Sequence, residues 1–196
     1  MKTRGDLLKI LRENLSPSRV RHSLSVAVLA RKMGQRFGWD PEMAFRAGLL
    51  HDVAKEWPSK RLDAHVRKFK LKVPEAAFIR RHNPALFHSY VSAGLAKRNG
   101  WLTNPAALKA IAAHTLGRLN MGTADKILYV ADLIALDRDF PEVRMVRRMA
   151  FKNLDDAFVA SLAVKISTNL RESKPLYPLT IRMWNQVARG GSKRKK

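Results

Sequence analysis

Residues 16–57 read SPSRVRHSLSVAVLARKMGQRFGWDPEMAFRAGLLHDVAKEW, and two consecutive helices account for them. Ser16 offers a capping hydroxyl, and Pro17 suits the first helical position. Val20, Leu24, Ala27 and Val28 then recur at three- and four-residue steps, with Ala30 and Met33 beyond, the period of one buried helix face. Gly38 closes this helix. Asp40-Pro41 opens the next, which carries Met43, Ala44, Ala47, Leu50 and Val53 and ends near Trp57-Pro58. Outward from this pair the helical period continues. Helices are predicted over 59–69, 74–82, 84–98, from the Asn104-Pro105 cap to His114, and over 123–136, 141–151, 154–172 and 177–188. The 123–136 segment reads as buried, with Ile127, Leu128, Val130, Ala131 and Ile134. No alternating strand pattern, internal repeat or long linker interrupts the series. The fold class is therefore all-α: a single helical domain over residues 1–188, with a flexible basic tail over 189–196.

A chain of 196 residues is one domain long and able to bury its own core. It has no cysteine, which excludes a disulfide scaffold, a thiolate metal site and a cysteine nucleophile. No apolar run reaches the length of a membrane span. The N-terminal MKTRGDLLKILREN places charges inside its apolar part, unlike a signal peptide, so a cytoplasmic, soluble protein is expected. The formal net charge is +22 and remains strongly positive without the tail. It calls for an anionic partner without choosing among nucleotide, nucleic acid and membrane surface.

Six residues carry the candidate chemistry: His22, the pair His51-Asp52, His88, His114 and Asp132. Each falls in a predicted helix or at its end, among small or apolar neighbours. A carboxylate in such surroundings is costly unless paired, and a metal ion would neutralise it. Imidazole and carboxylate donors without sulfur suit iron, manganese or zinc. Six ligands are more than one ion with an open position needs. A dinuclear site bridged by Asp52 fits the number better, its ions about 3.5–4 Å apart around an activated hydroxide. Asp132 could instead form a buried pair with an arginine. His65 and His82 lie in Arg- and Lys-rich stretches and are expected on the solvated surface. The runs 68–72 and 144–148 read as solvated helix faces before they read as a nucleic-acid surface. Trp39, Trp57, Trp101 and Trp184 are expected as core anchors.

The order His22, His51-Asp52, His88, His114, Asp132 resembles the HD-domain metal-dependent phosphohydrolases. Four local contexts resemble the branch of bacterial symmetrical dinucleoside tetraphosphatases: RHSLSVA at 21–27, GLLHDVAKE at 48–56, AIAAHTLGRLNM at 110–121 and ADLIALDRDFP at 131–141. The resemblance spans roughly residues 15–188. It implies hydrolysis of diadenosine tetraphosphate to two ADP by a hydroxide on a di-iron centre. One ion would be held by His22, His51, Asp52 and Asp132, and the second by Asp52, His88 and His114. Asp52 and Lys55 would be catalytic. Lys55, Thr115, Arg118, Arg138 and Asp139 would contact the substrate. The chain departs from the branch at Ser89, Leu116, Leu119 and Ala135-Leu136, which leaves base preference and polyphosphate length open. Two other readings of the fold are an HD-type nucleotidase or nucleoside triphosphatase, and a basic RNA- or ribosome-associated binding module. The resemblance leaves a homodimer open.

Overall fold

The computed structural model describes residues 2–192, with side chains through Ala188. Among the described residues there are eleven α-helices and no strand. In order they are α1 Arg4–Asn14, α2 Pro17–Phe37, α3 Pro41–Leu50, α4 Ser59–Lys68, α5 Ala76–His82, α6 His88–Arg98, α7 Pro105–Ala113, α8 Thr123–Leu133, α9 Pro141–Ala150, α10 Leu154–Arg171 and α11 Pro178–Ser192. None of them is long and apolar enough to cross a membrane.

The punctuation does what its chemistry predicts except at Ser16, whose hydroxyl caps nothing and instead donates to Glu56 at 2.7 Å. Pro17, Pro41 and Pro105 stand in the first turns of their helices. The Asp40 and Asn104 side chains accept backbone N–H groups of the turns they open. Gly38 ends α2 in the left-handed conformation, at φ 76°. Helix α8 is apolar nearly all round, with Ile127 to Ala131 buried, and packs on α2, α7 and α10 as the central rod. A main core gathers around it. A second, smaller cluster forms where α4, α5 and the start of α11 meet, around Leu62, Val66, Ile79, Phe87 and Tyr177.

Helices α2 and α3 cross at backbone contact. A Cβ at Gly48 would lie 2.5 Å from the Ala27 Cα and 2.8 Å from its nitrogen. Both are backbone atoms and cannot swing aside. Gly48→Ala is therefore expected to cost about 2–3 kcal/mol through overpacking, lowering Tm by roughly 5–10 °C in a domain of this size. His22 rides on α2 and His51 follows α3, so metal content should fall with stability. Calorimetry and metal analysis of the same preparation check both.

Three local expectations need correction, and one helix, α1, answers to no expectation. The helix predicted to Trp57 stops at Leu50, and residues 51–57 wind through three-residue turns, such as Lys55 N–H to the Asp52 carbonyl at 2.8 Å. The predicted helix over 84–98 is a 3₁₀ turn, Pro84–Phe87, followed by α6. In both places the tighter winding brings histidines to the start or end of a helix. The N-terminal stretch is helix α1, closed by a reciprocal cap between Thr3 and Asp6. Helix α11 runs through Ser192, so the tail placed at 189–196 begins helical, while residues 193–196 lie outside the described part.

Candidate metal centre

The six candidate ligands arrive from five places: α2 (His22), the turn after α3 (His51 and Asp52), the first residue of α6 (His88), the residue after α7 (His114) and the last turn of α8 (Asp132). They converge, and all but Asp132 are buried to within 3% of complete. The first carboxylate oxygen of Asp52 lies 3.1 Å from His88 Nε2 and 3.3 Å from His114 Nε2. Its second oxygen lies 3.6 Å from His51 Nε2. Asp132 Oδ1 lies 3.2 Å from His22 Nε2 and 3.9 Å from His51 Nε2. Two groups with metal-ligand spacing result, His22–His51–Asp52 and Asp52–His88–His114. Asp52 belongs to both.

The backbone and a second carboxylate fix which nitrogen of each ring faces inward. His51 Nδ1 lies 2.7 Å from the Gly48 carbonyl, His88 Nδ1 2.7 Å from that of Ala85, and His114 Nδ1 2.8 Å from that of Ile111. A carbonyl only accepts, so each Nδ1 carries the proton and each Nε2 turns a lone pair toward Asp52. His22 Nδ1 is held at 2.9 Å by Asp137, a carboxylate–histidine pair of the kind that orients metal ligands.

Without a cation this arrangement is unsatisfied. His88 and His114 bring Nε2 atoms to 3.3 Å. His51 Nε2 and Asp52 Oδ1 are buried with no hydrogen-bond partner among the described residues. A divalent cation on each side of Asp52 supplies what these atoms lack, so the residues fit a dinuclear metal centre.

The electrostatics agree. Burial alone would raise the Asp52 and Asp132 carboxyls, but the imidazoles around them, with Lys165 beside Asp132, hold both well below the usual range. Burial pushes His51 down to about 4 and lowers His88, keeping both neutral and able to bind a cation. His22 is raised: burial opposes this, and its hydrogen bonds to the carboxylates of Asp132 and Asp137 outweigh it.

The centre opens onto a cleft of about 660 Å³ between the two apolar clusters. Lys55, Thr115 and Arg138 line it. Lys55 Nζ lies 3.3 Å from His88 Nε2, and Thr115 Oγ1 lies 2.8 Å from His114 Nε2. Arg118 and Asp139 are not brought there. Arg118 pairs with buried Asp125 at the start of α8, and Asp139 pairs with Arg144 on the surface. His65 is not solvated as expected but half-buried between Trp57 and Phe69. His82 is exposed, yet it stacks on Phe78 at the cleft rim.

Lys165 was not legible as a site residue. It lines the cleft from α10, its Nζ 3.1 Å from the His114 carbonyl, 3.8 Å from Asp132 Oδ2 and 3.6 Å above the Tyr129 ring. So Asp132 is paired with a lysine rather than with the arginine considered from sequence. Burial, with help from Arg138 and Lys55, pushes the Lys165 ammonium down to about 8. A signal did exist: Phe158, Ser161 and Leu162, which lie on the same helical face as Lys165, are all buried.

The HD domain family model matches residues 19–137. The symmetrical bis(5'-nucleosyl)-tetraphosphatase of Bacillus subtilis is 31% identical to the chain, over 95% of this chain and 98% of its own length. The protein of the same name from Halalkalibacterium halodurans is 30% identical, over 94% and 96%. Among solved structures, an HD superfamily hydrolase from Clostridium acetobutylicum, described as involved in NAD metabolism, superposes with a TM-score of 0.89. That match has 30% identity and covers 96% of this chain and 98% of the other.

Proposed function

The chain belongs to the HD domain family, and from that membership we propose that it is a metal-dependent phosphohydrolase that splits dinucleoside tetraphosphates symmetrically, diadenosine tetraphosphate giving two ADP. The observation that carries this reading is the shared carboxylate. The two oxygens of Asp52 face different histidine groups, and the cleft beyond them is lined with cations.

His22, His51, Asp52 and Asp132 would hold one ion, and Asp52, His88 and His114 would hold the other. When bound, the ions supply Lewis acidity at phosphorus and an activated water. Nitrogen and oxygen donors without sulfur suit iron, which we assign to both positions ahead of manganese and zinc. The protein's own residues do the rest. The backbone carbonyls and Asp137 lock the imidazoles in place. Lys55, Arg138 and Lys165 set three cations along the cleft, where they neutralise the polyphosphate and hold an inner phosphorus at the centre. Water adds to that phosphorus, the central bridging P–O bond breaks, and its electron pair departs with the other nucleoside diphosphate.

Product identification tests this directly. Diadenosine tetraphosphate should yield ADP alone, with turnover lost on chelation and restored by ferrous or manganous ion. AMP with ATP would overturn symmetrical cleavage. Brisk hydrolysis of a mononucleotide, with the tetraphosphate untouched, would replace this reading with the nucleotidase one.

A further inference from the structure

The cleft uses only a fraction of the chain's positive charge. Between residues 58 and 123 the sequence carries 12 basic and 2 acidic side chains. Both acids are already engaged, Asp63 by Arg67 and Arg80, and Glu75 by Arg182. The cations left over include a built cluster on α4 and the end of α6. The Arg61 guanidinium stacks on the Trp57 ring, 3.5 Å from its centroid. Trp57 meets His65 at 5.7 Å, and His65 meets Phe69 at 4.4 Å. Arg98, from the last turn of α6, covers Phe69 at 3.6 Å, and Lys68 stands 5.5 Å from the same ring. Burial, and then the charges of Arg98, Arg61 and Lys68, hold the His65 imidazole below its ordinary value, as the convergence of the three cations requires.

The way these arginines are held matters. A ring grips a guanidinium by its face, which orders the side chain and leaves the N–H groups around its edge unspent. A carboxylate partner would have taken two of those donors. Arg61 and Arg98 are exposed, and neither has an ion-pair partner among the described residues. They are ordered forks of the shape that receives a phosphate.

We infer that the face made by α4 and the end of α6 docks the phosphodiester backbone of a nucleic acid without reading its sequence. A membrane surface fits less well. An interfacial helix pushes large apolar side chains into the lipid, whereas the exposed large apolar residues here are Val28, Leu119, Leu136, Met145, Phe151 and Leu170, none of them on α4 or α6. A protein partner would want an apolar patch at the centre of its footprint, and the same absence argues against one. Trp57 and Phe69 each already carry a cation on a face and His65 against the ring, which leaves base stacking little room and favours backbone contact.

The test is fluorescence anisotropy of labelled single-stranded RNA, and of DNA of the same sequence, titrated with the metal-loaded full chain over a range of salt. Substituting Arg61→Gln, Lys68→Gln and Arg98→Gln together should weaken binding at least tenfold. It should also reduce the slope of log K against log salt by about 2, at about 0.7 per lost phosphate contact. Tetraphosphate hydrolysis should be unchanged, since none of the three lines the cleft. Removing three charges elsewhere, as Lys9→Gln, Arg31→Gln and Lys32→Gln, should change affinity less than twofold. RNA and DNA binding alike would assign recognition to the shared phosphodiester, and RNA alone would add a contact to the ribose hydroxyl; either supports the inference. Equal loss in both triple variants would overturn it, because net charge alone would then explain the binding. So would competition between RNA and the tetraphosphate for the cleft, or capture of anionic vesicles with no nucleic acid bound.

Discussion

Asp52→Ala is expected to abolish turnover and to empty both metal positions together. The reason is geometric. One oxygen of this carboxylate faces His88 and His114, and the other faces His51. No other residue of the cluster belongs to both ligand groups. Removing it takes a negative charge from each ion and leaves four imidazoles and the Asp132 carboxylate to hold two cations, so occupancy should fall on both sides. Turnover should drop by about 10³ or more, equivalent to about 4 kcal/mol of lost transition-state stabilisation. Asp132→Ala is the informative contrast. Asp132 stands near His22 and His51 and away from the His88 group, so that variant should lose one ion and keep the other. Metal analysis after anaerobic purification checks both, with circular dichroism to confirm the helices. Retention of both ions by Asp52→Ala would end the bridging assignment.

The helices and the cluster of four histidines and two aspartates were legible in the sequence for the same reason: both are written in strong local patterns. Asp40-Pro41 and Asn104-Pro105 announce helix starts by capping chemistry, which needs no tertiary information. The ligands stand out because a histidine or aspartate among small apolar residues has few reasons to be there. What local pattern could not carry was the winding at 51–57 and 84–87. Those turns exist to aim His51, Asp52 and His88 at residues far away in the chain, and the sequence within each turn remains compatible with helix. The placement of Arg118 away from the cleft has a related reason. Its position after His114 was matched by resemblance, but the nearest buried carboxylate, Asp125, lies seven residues on and takes it. Asp137 was quoted in a motif without a role, because its partner His22 lies 115 residues away. His65 was read from its charged neighbours along the chain, while its burial comes from Trp57 and Phe69 packing on either side.

Lys165→Met should lower kcat by about 10- to 100-fold while leaving metal content near two ions per chain. The magnitude is that of one charge-assisted hydrogen bond to the reacting phosphate, about 1.5–3 kcal/mol. The ammonium has three N–H donors, one directed at the His114 carbonyl at 3.1 Å and one with Asp132 Oδ2 3.8 Å away. The third is left for a ligand in the cleft that the residue lines. Methionine matches the length of the lysine stem, so packing along the stem is largely kept, while the charge is removed together with the Nζ contact above the Tyr129 ring. Lys165→Arg restores the charge with a planar fork that cannot reproduce all three directions, and it should recover only part of the rate. A purely structural lysine would give another result. If its task were only to steady Asp132 and the end of α7, the methionine variant would lose metal and melt earlier, and its remaining loaded fraction would turn over at the normal rate. The defect should therefore appear per loaded enzyme, in kcat more than in KM, because an interaction that tightens as charge builds on the phosphoryl oxygens acts on the transition state rather than on substrate capture.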